Sequence, residues 1–189
     1  MNTNNYQLKR KALKNMLWLG IFSIIMMFSG LASAYIIRAK GGNWLHFQLP
    51  DIFYLSTIVI MISSVTIYIA QKNIQKNNHS STFKWLLFTF ILGIIFSICQ
   101  YLGWKNLYEN GIVYAGKYSN PSGSFLYLLT ALHLLHLLGG MIGLIVTSIK
   151  TLLKKYSSED YLGIELISLY WHFLDGLWIF LFLFLIFIR

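Results

Sequence analysis

Charge is what this sequence has little of. Only 11% of its 189 residues are Asp, Glu, Lys or Arg, against 57% hydrophobic residues. The mean hydropathy is +0.61, and a soluble domain is hard to build from that balance. Cysteine is nearly absent. Cys99 stands alone inside an apolar run, which excludes a disulfide framework and a thiolate metal cluster and leaves it as a small hydrophobe. The two prolines, Pro50 and Pro121, fall between apolar runs, so no helical hydrogen-bond ladder is interrupted. Alternating strand-like segments are missing. No internal repeat of the kind common in secondary transporters is evident.

What is there instead is a series of long apolar runs, approximately Met16–Ile37, Ile52–Ala70, Phe83–Gly103, Phe125–Ile149 and Ile164–Ile188. Crossing a hydrocarbon core of roughly 30 Å takes about 20 apolar helical residues, because a helix satisfies its own backbone hydrogen bonds there. The expectation is an all-α integral membrane protein with five transmembrane helices forming one transmembrane domain over residues 1–189. No linker is long enough for a soluble domain. The first run is too long for the apolar region of a secretion signal, so it is expected to be retained.

The net charge of +9 does not point to nucleic acid, because the basic residues lie in short linkers beside the apolar runs. With the N-terminus inside, Lys9, Arg10, Lys11, Lys14, Lys72, Lys76, Lys84, Lys150, Lys154 and Lys155 are cytoplasmic. Arg38, Lys40, Lys105, Lys117 and Arg189 are outside. Basic residues near span ends concentrate on the cytoplasmic side, so the N-terminus is expected in the cytoplasm and the C-terminus outside. The aromatic residues Trp18, Trp44, Trp85 and Trp104 near span ends suit interfacial anchors.

Ionisable side chains are costly deep in a bilayer and normally face protein or water with a partner. The first three spans have none in their middles. The fourth carries His133 and His136, and the fifth carries Glu165, His172 and Asp175. Residues three apart share a helical face, so each of these two helices bears a polar stripe. Consecutive antiparallel helices on a short linker are expected to turn such stripes toward each other. Three uses fit: metal or haem ligation by the imidazoles, a proton relay, or a hydrogen-bonded network locking the two helices. The preferred expectation is the structural network of His133, His136, Glu165, His172 and Asp175, with no catalytic, cofactor-binding or metal site. Gly139, Gly140 and Gly143 offer close approach to a neighbouring backbone or a lipid tail. Trp171 and Trp178, seven residues apart on one face, are expected to pack or to line a lipid groove.

The stretch Tyr170-Trp171-His172-Phe173-Leu174-Asp175-Gly176-Leu177-Trp178-Ile179-Phe180-Leu181-Phe182 closely resembles the signature Y-W-H-F-V-D-V-V-W-L-F-L-F of subunit III of haem-copper respiratory oxidases. Glu165 falls, without gaps, where that family has the Glu of G-F-E-A-A-A-W-Y-W-H. Thr130-Ala131-Leu132-His133-Leu134-Leu135-His136-Leu137-Leu138-Gly139-Gly140 is similar to its T-G-F-H-x-x-H-V-x-x-G. Phe28-Ser29-Gly30-Leu31-Ala32-Ser33-Ala34-Tyr35 is similar to F-A-G-L-F-A-A-Y. Seven-span members begin with two further helices, so this chain resembles a five-span bacterial form.

The resemblance implies an accessory subunit of a proton-pumping terminal oxidase in the bacterial inner membrane. Such a subunit has no redox centre of its own, and haem and copper lie in partner subunits. It packs on the catalytic subunit I beside other oxidase subunits, within a respiratory supercomplex in some cases. It holds phospholipids and supports proton uptake and stability of the core. The equivalent subunit of a quinol oxidase or nitric oxide reductase shares these motifs, and a stand-alone haem-binding electron carrier is the alternative of another class. One departure is plain: the family's Glu in S-E-V-M-F-F is Ile24 here. A proton-buffering role at that helix does not carry over. Asp160 and Tyr161 likewise replace the family's histidines ahead of its G-F-E, so surface proton collection by histidines there does not carry over.

Overall fold

The computed structural model describes residues 3–42, 44, 45, 47–116 and 119–188, with side chains from Gln7 onward. Lys117 and Arg189, assigned to the outer side above, lie outside the described residues. Five helices follow in order: α1 Thr3–Ala39, α2 Ile52–Gln75, α3 His79–Glu109, α4 Pro121–Leu152 and α5 Leu162–Phe187. All five are long and apolar enough to cross a membrane, and no strand occurs among the described residues. The chain is an all-helical multi-pass membrane protein.

Helix ends follow local chemistry. Asn78 starts α3 by accepting a hydrogen bond from the Ser81 amide at 3.1 Å, and Asn120 starts α4 by accepting from the Ser122 amide at 3.1 Å, with Pro121 at the first helical position. At the end of α2, Asn77 turns left-handed (φ +54°), and the amides of Asn77 and Asn78 reach back to the carbonyls of Ile74 and Asn73. This is the paired closure that satisfies the last carbonyls of a helix. Gly111 (φ +78°) closes α3 the same way.

Cross-loop bonds define the two ends of the molecule. At one end, Asn77 and Ser158 exchange bonds of 3.0 and 2.7 Å between the α2–α3 turn and the α4–α5 linker. At the other, the Leu45 amide donates to Asn120 Oδ1 at 3.2 Å. The first end gathers the start of α1 with both of those connections, and so gathers all ten basic residues expected on the cytoplasmic side. Arg38, Lys40 and Lys105 lie at the opposite end.

Helices α2, α3, α4 and α5 pack in a ring, α5 against both α4 and α2, while α1 lies against the outside of α4 and α5. The interior is aromatic, with Trp171, Trp178, Phe53 and Phe96 among its fully buried side chains. α1 joins through Ile21, Phe28 and Tyr35, spaced by seven, whereas Leu19, Phe22 and Met26 of the same helix are exposed. An outer surface this apolar suits hydrocarbon rather than water.

Candidate functional site

Arg10 and Lys14 are four apart on α1 and therefore share a face. Both reach Glu165 in the first turn of α5: Arg10 Nη2 donates to Oε2 at 2.8 Å and Lys14 Nζ to Oε1. A carboxylate in that turn is also favoured by the helix dipole. This ion triad pins α1 to the start of α5. All three side chains are partly exposed, so solvent screening limits the effect. Glu165→Gln is expected to lower stability by about 1 kcal/mol, read as a lower thermal unfolding midpoint in detergent. An unchanged midpoint would show that the triad holds nothing.

The other four polar residues sit in different places. The Ser64 hydroxyl of α2 and His172 Nδ1 share a hydrogen bond at 2.6 Å. Asp175, one turn further along α5, is 3% exposed, and neither carboxylate oxygen has a hydrogen-bond partner among the described residues. His136 Nδ1 donates to the Leu132 carbonyl of its own helix at 2.7 Å, and the Tyr170 hydroxyl donates to the His136 carbonyl at 3.2 Å. His133 is fully buried beside the rings of Phe96 and Trp178, with centroids at 5.8 and 5.1 Å. Neither of its ring nitrogens has a partner among the described residues.

Among the described residues, then, none of the five bonds another of the five. Rotation of α5 is the reason. Its face toward α4 is made of Ile167, Tyr170, Trp171 and Leu174, the side chains that meet Gly143, Gly139 and Gly140. His172 lies toward α2 instead. His133 gives a test of its own. An unsatisfied buried polar group costs about 1–3 kcal/mol, so His133→Phe, which keeps a flat ring, is expected to leave stability unchanged or raise it by about 1 kcal/mol. A clear drop would reveal a polar partner for the imidazole, such as an internal water.

Trp171 and Trp178 are fully buried and turn toward α2, where their indole N–H groups donate to Ser63 Oγ and Thr57 Oγ1, each at 3.0 Å. They pack within the bundle, one of the two uses expected for them. A groove lies elsewhere. It has a volume of about 500 Å³ between α1, α4 and α5, and Leu17, Gly139, Gly143, Ile167 and Tyr170 form its apolar wall, with Lys150 at its basic end. Tyr156 of the α4–α5 linker also lines it, and burial pushes that phenol's pKa above its ordinary value.

Sequence reasoning missed the row of hydroxyls on α2. Besides Ser63, Thr57 and Ser64, it includes Thr66, which shares a 2.8 Å bond with Thr89 of α3, and Ser56, which accepts from Gln100 Nε2 at 3.0 Å. A signal was present: the pairs Ser56-Thr57 and Ser63-Ser64 repeat at seven residues, the spacing of Trp171 and Trp178. Among the described residues no group of three or more His, Cys, Asp or Glu side chains could hold a metal ion.

Residues 3–188 match the family described as Cytochrome c oxidase subunit III. The chain is 32% identical over 182 residues to the "Probable cytochrome c oxidase subunit 3" of Mycobacterium tuberculosis, covering 91% of this chain and 85% of the relative. It is 29% identical over 173 residues to the "Cytochrome c oxidase subunit 3" of Corynebacterium diphtheriae, covering 87% and 82%. Over 137 residues it is 34% identical to the protein of that name from Drosophila melanogaster, covering 72% of this chain and 49% of the relative.

Proposed function

The chain belongs to the cytochrome c oxidase subunit III family, and from that premise we propose that it is an accessory subunit of a bacterial haem-copper terminal oxidase. The family match along essentially the whole chain carries this reading. The oxidase complex reduces oxygen, and this family is a subunit without redox centres of its own. Its principal neighbour in the proposal is subunit I, which holds haem and copper, with further oxidase subunits and a respiratory supercomplex beyond it. The membrane is the cytoplasmic one, with the ten-residue basic end of the molecule on the cytoplasmic side.

Phospholipid belongs to the same proposal. The groove between α1, α4 and α5 suits an acyl chain, and Lys150 at its end suits an anionic head group. The five polar residues act structurally. Glu165 ties α1 to α5, His172 ties α5 to α2, and His133, His136 and Asp175 lie buried or half-buried within the helical packing. Support for proton uptake and durability of the catalytic core is included, but it does not pass through residue 24, an isoleucine here.

The experiment is a mild-detergent pull-down of the tagged chain from its native membrane, followed by a haem spectrum and identification of partners by mass spectrometry. Stoichiometric recovery with a haem-copper catalytic subunit is expected. A chain that emerges alone carrying its own haem overturns the proposal.

A further inference from the structure

At the end of the bundle opposite the ten basic residues lies a cavity of about 470 Å³, lined by Trp104 of α3, Tyr114 of the α3–α4 connection, and Ser124, Tyr127, Leu128 and Ala131 of α4. Three of the six are aromatic, and their rings form an open box. Tyr127 lies against both of the others: the Trp104 ring is 6.4 Å away between centroids with planes inclined by 49°, and the Tyr114 ring is 5.8 Å away at 69°. Tyr127 is the floor, and Trp104 and Tyr114 are the walls. The polar handles are already engaged. The Trp104 indole N–H donates to Thr130 Oγ1 at 2.9 Å, and the Tyr127 hydroxyl donates toward the Trp104 and Ile112 carbonyls at 3.1 and 3.0 Å. The Ser124 hydroxyl donates to the Tyr114 carbonyl at 2.8 Å and so fixes that wall to the first turn of α4. What Trp104 and Tyr127 offer the cavity is therefore ring surface, and none of the residues lining it carries a charge.

The cavity also continues into the bilayer. From Leu128 and Ala131 an exposed apolar stripe runs along α4 through Leu135, Leu138 and Ile142, spaced by three and four as one helical face requires. An occupant that uses both features is apolar along its length and complementary to aromatic faces at its head. Such faces attract a cation held within about 6 Å of the ring centroid, whereas an anionic or hydroxyl head gains nothing from them. We infer that the box takes the ammonium head group of a zwitterionic phospholipid, of the ethanolamine or choline type, with an acyl chain laid along the α4 stripe. A soluble cation leaves the stripe unused, and an acyl chain alone leaves the ring faces unused. The selectivity is opposite to that of Lys150, which suits an anionic head group at the other end of the molecule. The inference does not depend on the subunit reading, since it needs only this fold in a bilayer.

A photo-crosslinking residue in place of Leu128, which lines the cavity and is 43% exposed, identifies the occupant by the mass of its adduct. The full chain, with any subunits that accompany it, is reconstituted into nanodiscs of equal parts phosphatidylethanolamine and phosphatidylglycerol with identical acyl chains. Adducts with phosphatidylethanolamine are expected to exceed those with phosphatidylglycerol about fivefold, the scale of one cation–π contact at an exposed site. Equal yields, an excess of phosphatidylglycerol, or an adduct with another protein subunit in place of lipid overturns the proposal.

Two comparisons tie that preference to the box. Tyr114 is 63% exposed, so replacing it disturbs little of the packing. Tyr114→Leu, which removes one wall, is expected to cut the lipid ratio by about half or more, and Tyr114→Phe, which keeps the ring, is expected to preserve it. A ratio indifferent to Tyr114→Leu sinks the idea. The same crosslinking residue in place of Ile142, which is 63% exposed and lies further along the stripe, is expected to show no excess of phosphatidylethanolamine. An equal excess there would make the preference a property of the bilayer and not of the three rings.

Discussion

Trp178→Ala is expected to lower the stability of the chain by about 3–5 kcal/mol, the range for removing a fully buried tryptophan. Trp178 is 0% exposed and touches every other member of the helical ring. It stacks near Phe53 of α2 at 6.2 Å, meets Phe96 of α3 edge-on at 4.9 Å, and lies 5.1 Å from the His133 ring of α4. Its indole N–H donates to Thr57 Oγ1 at 3.0 Å. Within a bilayer, helices gain little from the hydrophobic effect because lipid tails are as apolar as leucine. Dispersion contacts and interhelical hydrogen bonds carry the packing, and this residue supplies both. Alanine forfeits the ring contacts and leaves a cavity at a point where the four helices meet.

Trp178→Phe separates the two contributions. It keeps a flat aromatic ring but loses part of the indole together with the N–H donated to Thr57, so its expected cost is about 1–3 kcal/mol, the interhelical hydrogen bond plus a small cavity. Equilibrium unfolding in mixed micelles, followed by far-ultraviolet circular dichroism, measures both. Equal losses for the two variants would mean that the hydrogen bond, not the ring, holds the centre of the bundle.

Architecture was legible because hydropathy registers the bilayer. Four of the five apolar runs lie wholly within a helix and the fifth overruns α5 by Ile188 alone, but the helices extend past most of them: α1 begins at Thr3 rather than near Met16, and α3 continues to Glu109 rather than Gly103. Hydropathy ends where the lipid ends, whereas a helix ends at a cap. Asn78, Asn120 and the left-handed Asn77 were the local marks of those ends. The Arg10, Lys14 and Glu165 triad depends on such an extension, since both basic residues lie on the polar turns of α1 ahead of its apolar run.

The polar residues of the site were legible as a set, and their partners were not. Spacing places His172 and Asp175 on one face of α5 but leaves the azimuth of that face open. The azimuth follows from packing: Gly140 and Gly143 admit Tyr170, Leu174 and Ile167 of α5, which turns His172 toward Ser64. Serine and threonine on α2 attracted no notice because neither is ionisable. Within a membrane a hydroxyl is nonetheless a ready partner for an indole or an imidazole.

That dependence on glycine gives the second large effect. A Cβ at Gly140 would sit 3.3 Å from Leu174 Cδ1, Trp171 Cε3 and Tyr170 Cε1 together. Three side chains of α5 converge there, so none can yield without displacing another. Gly140→Leu is expected to cost about 1–3 kcal/mol by overpacking and to part α4 from α5, breaking the bond from the Tyr170 hydroxyl to the His136 carbonyl. Gly139 is the control. Its added Cβ meets only the Tyr170 hydroxyl oxygen at 4.0 Å, and the residue lines the open groove, so Gly139→Leu fills space rather than forcing helices apart. Unfolding midpoints of the two variants in the same detergent decide between these expectations. A large loss for Gly140→Leu beside a small change for Gly139→Leu places the close contact on one side of α4 and the groove on the other. Equal losses would mean that the face carrying Gly139 is itself packed, and the groove would no longer be available to lipid.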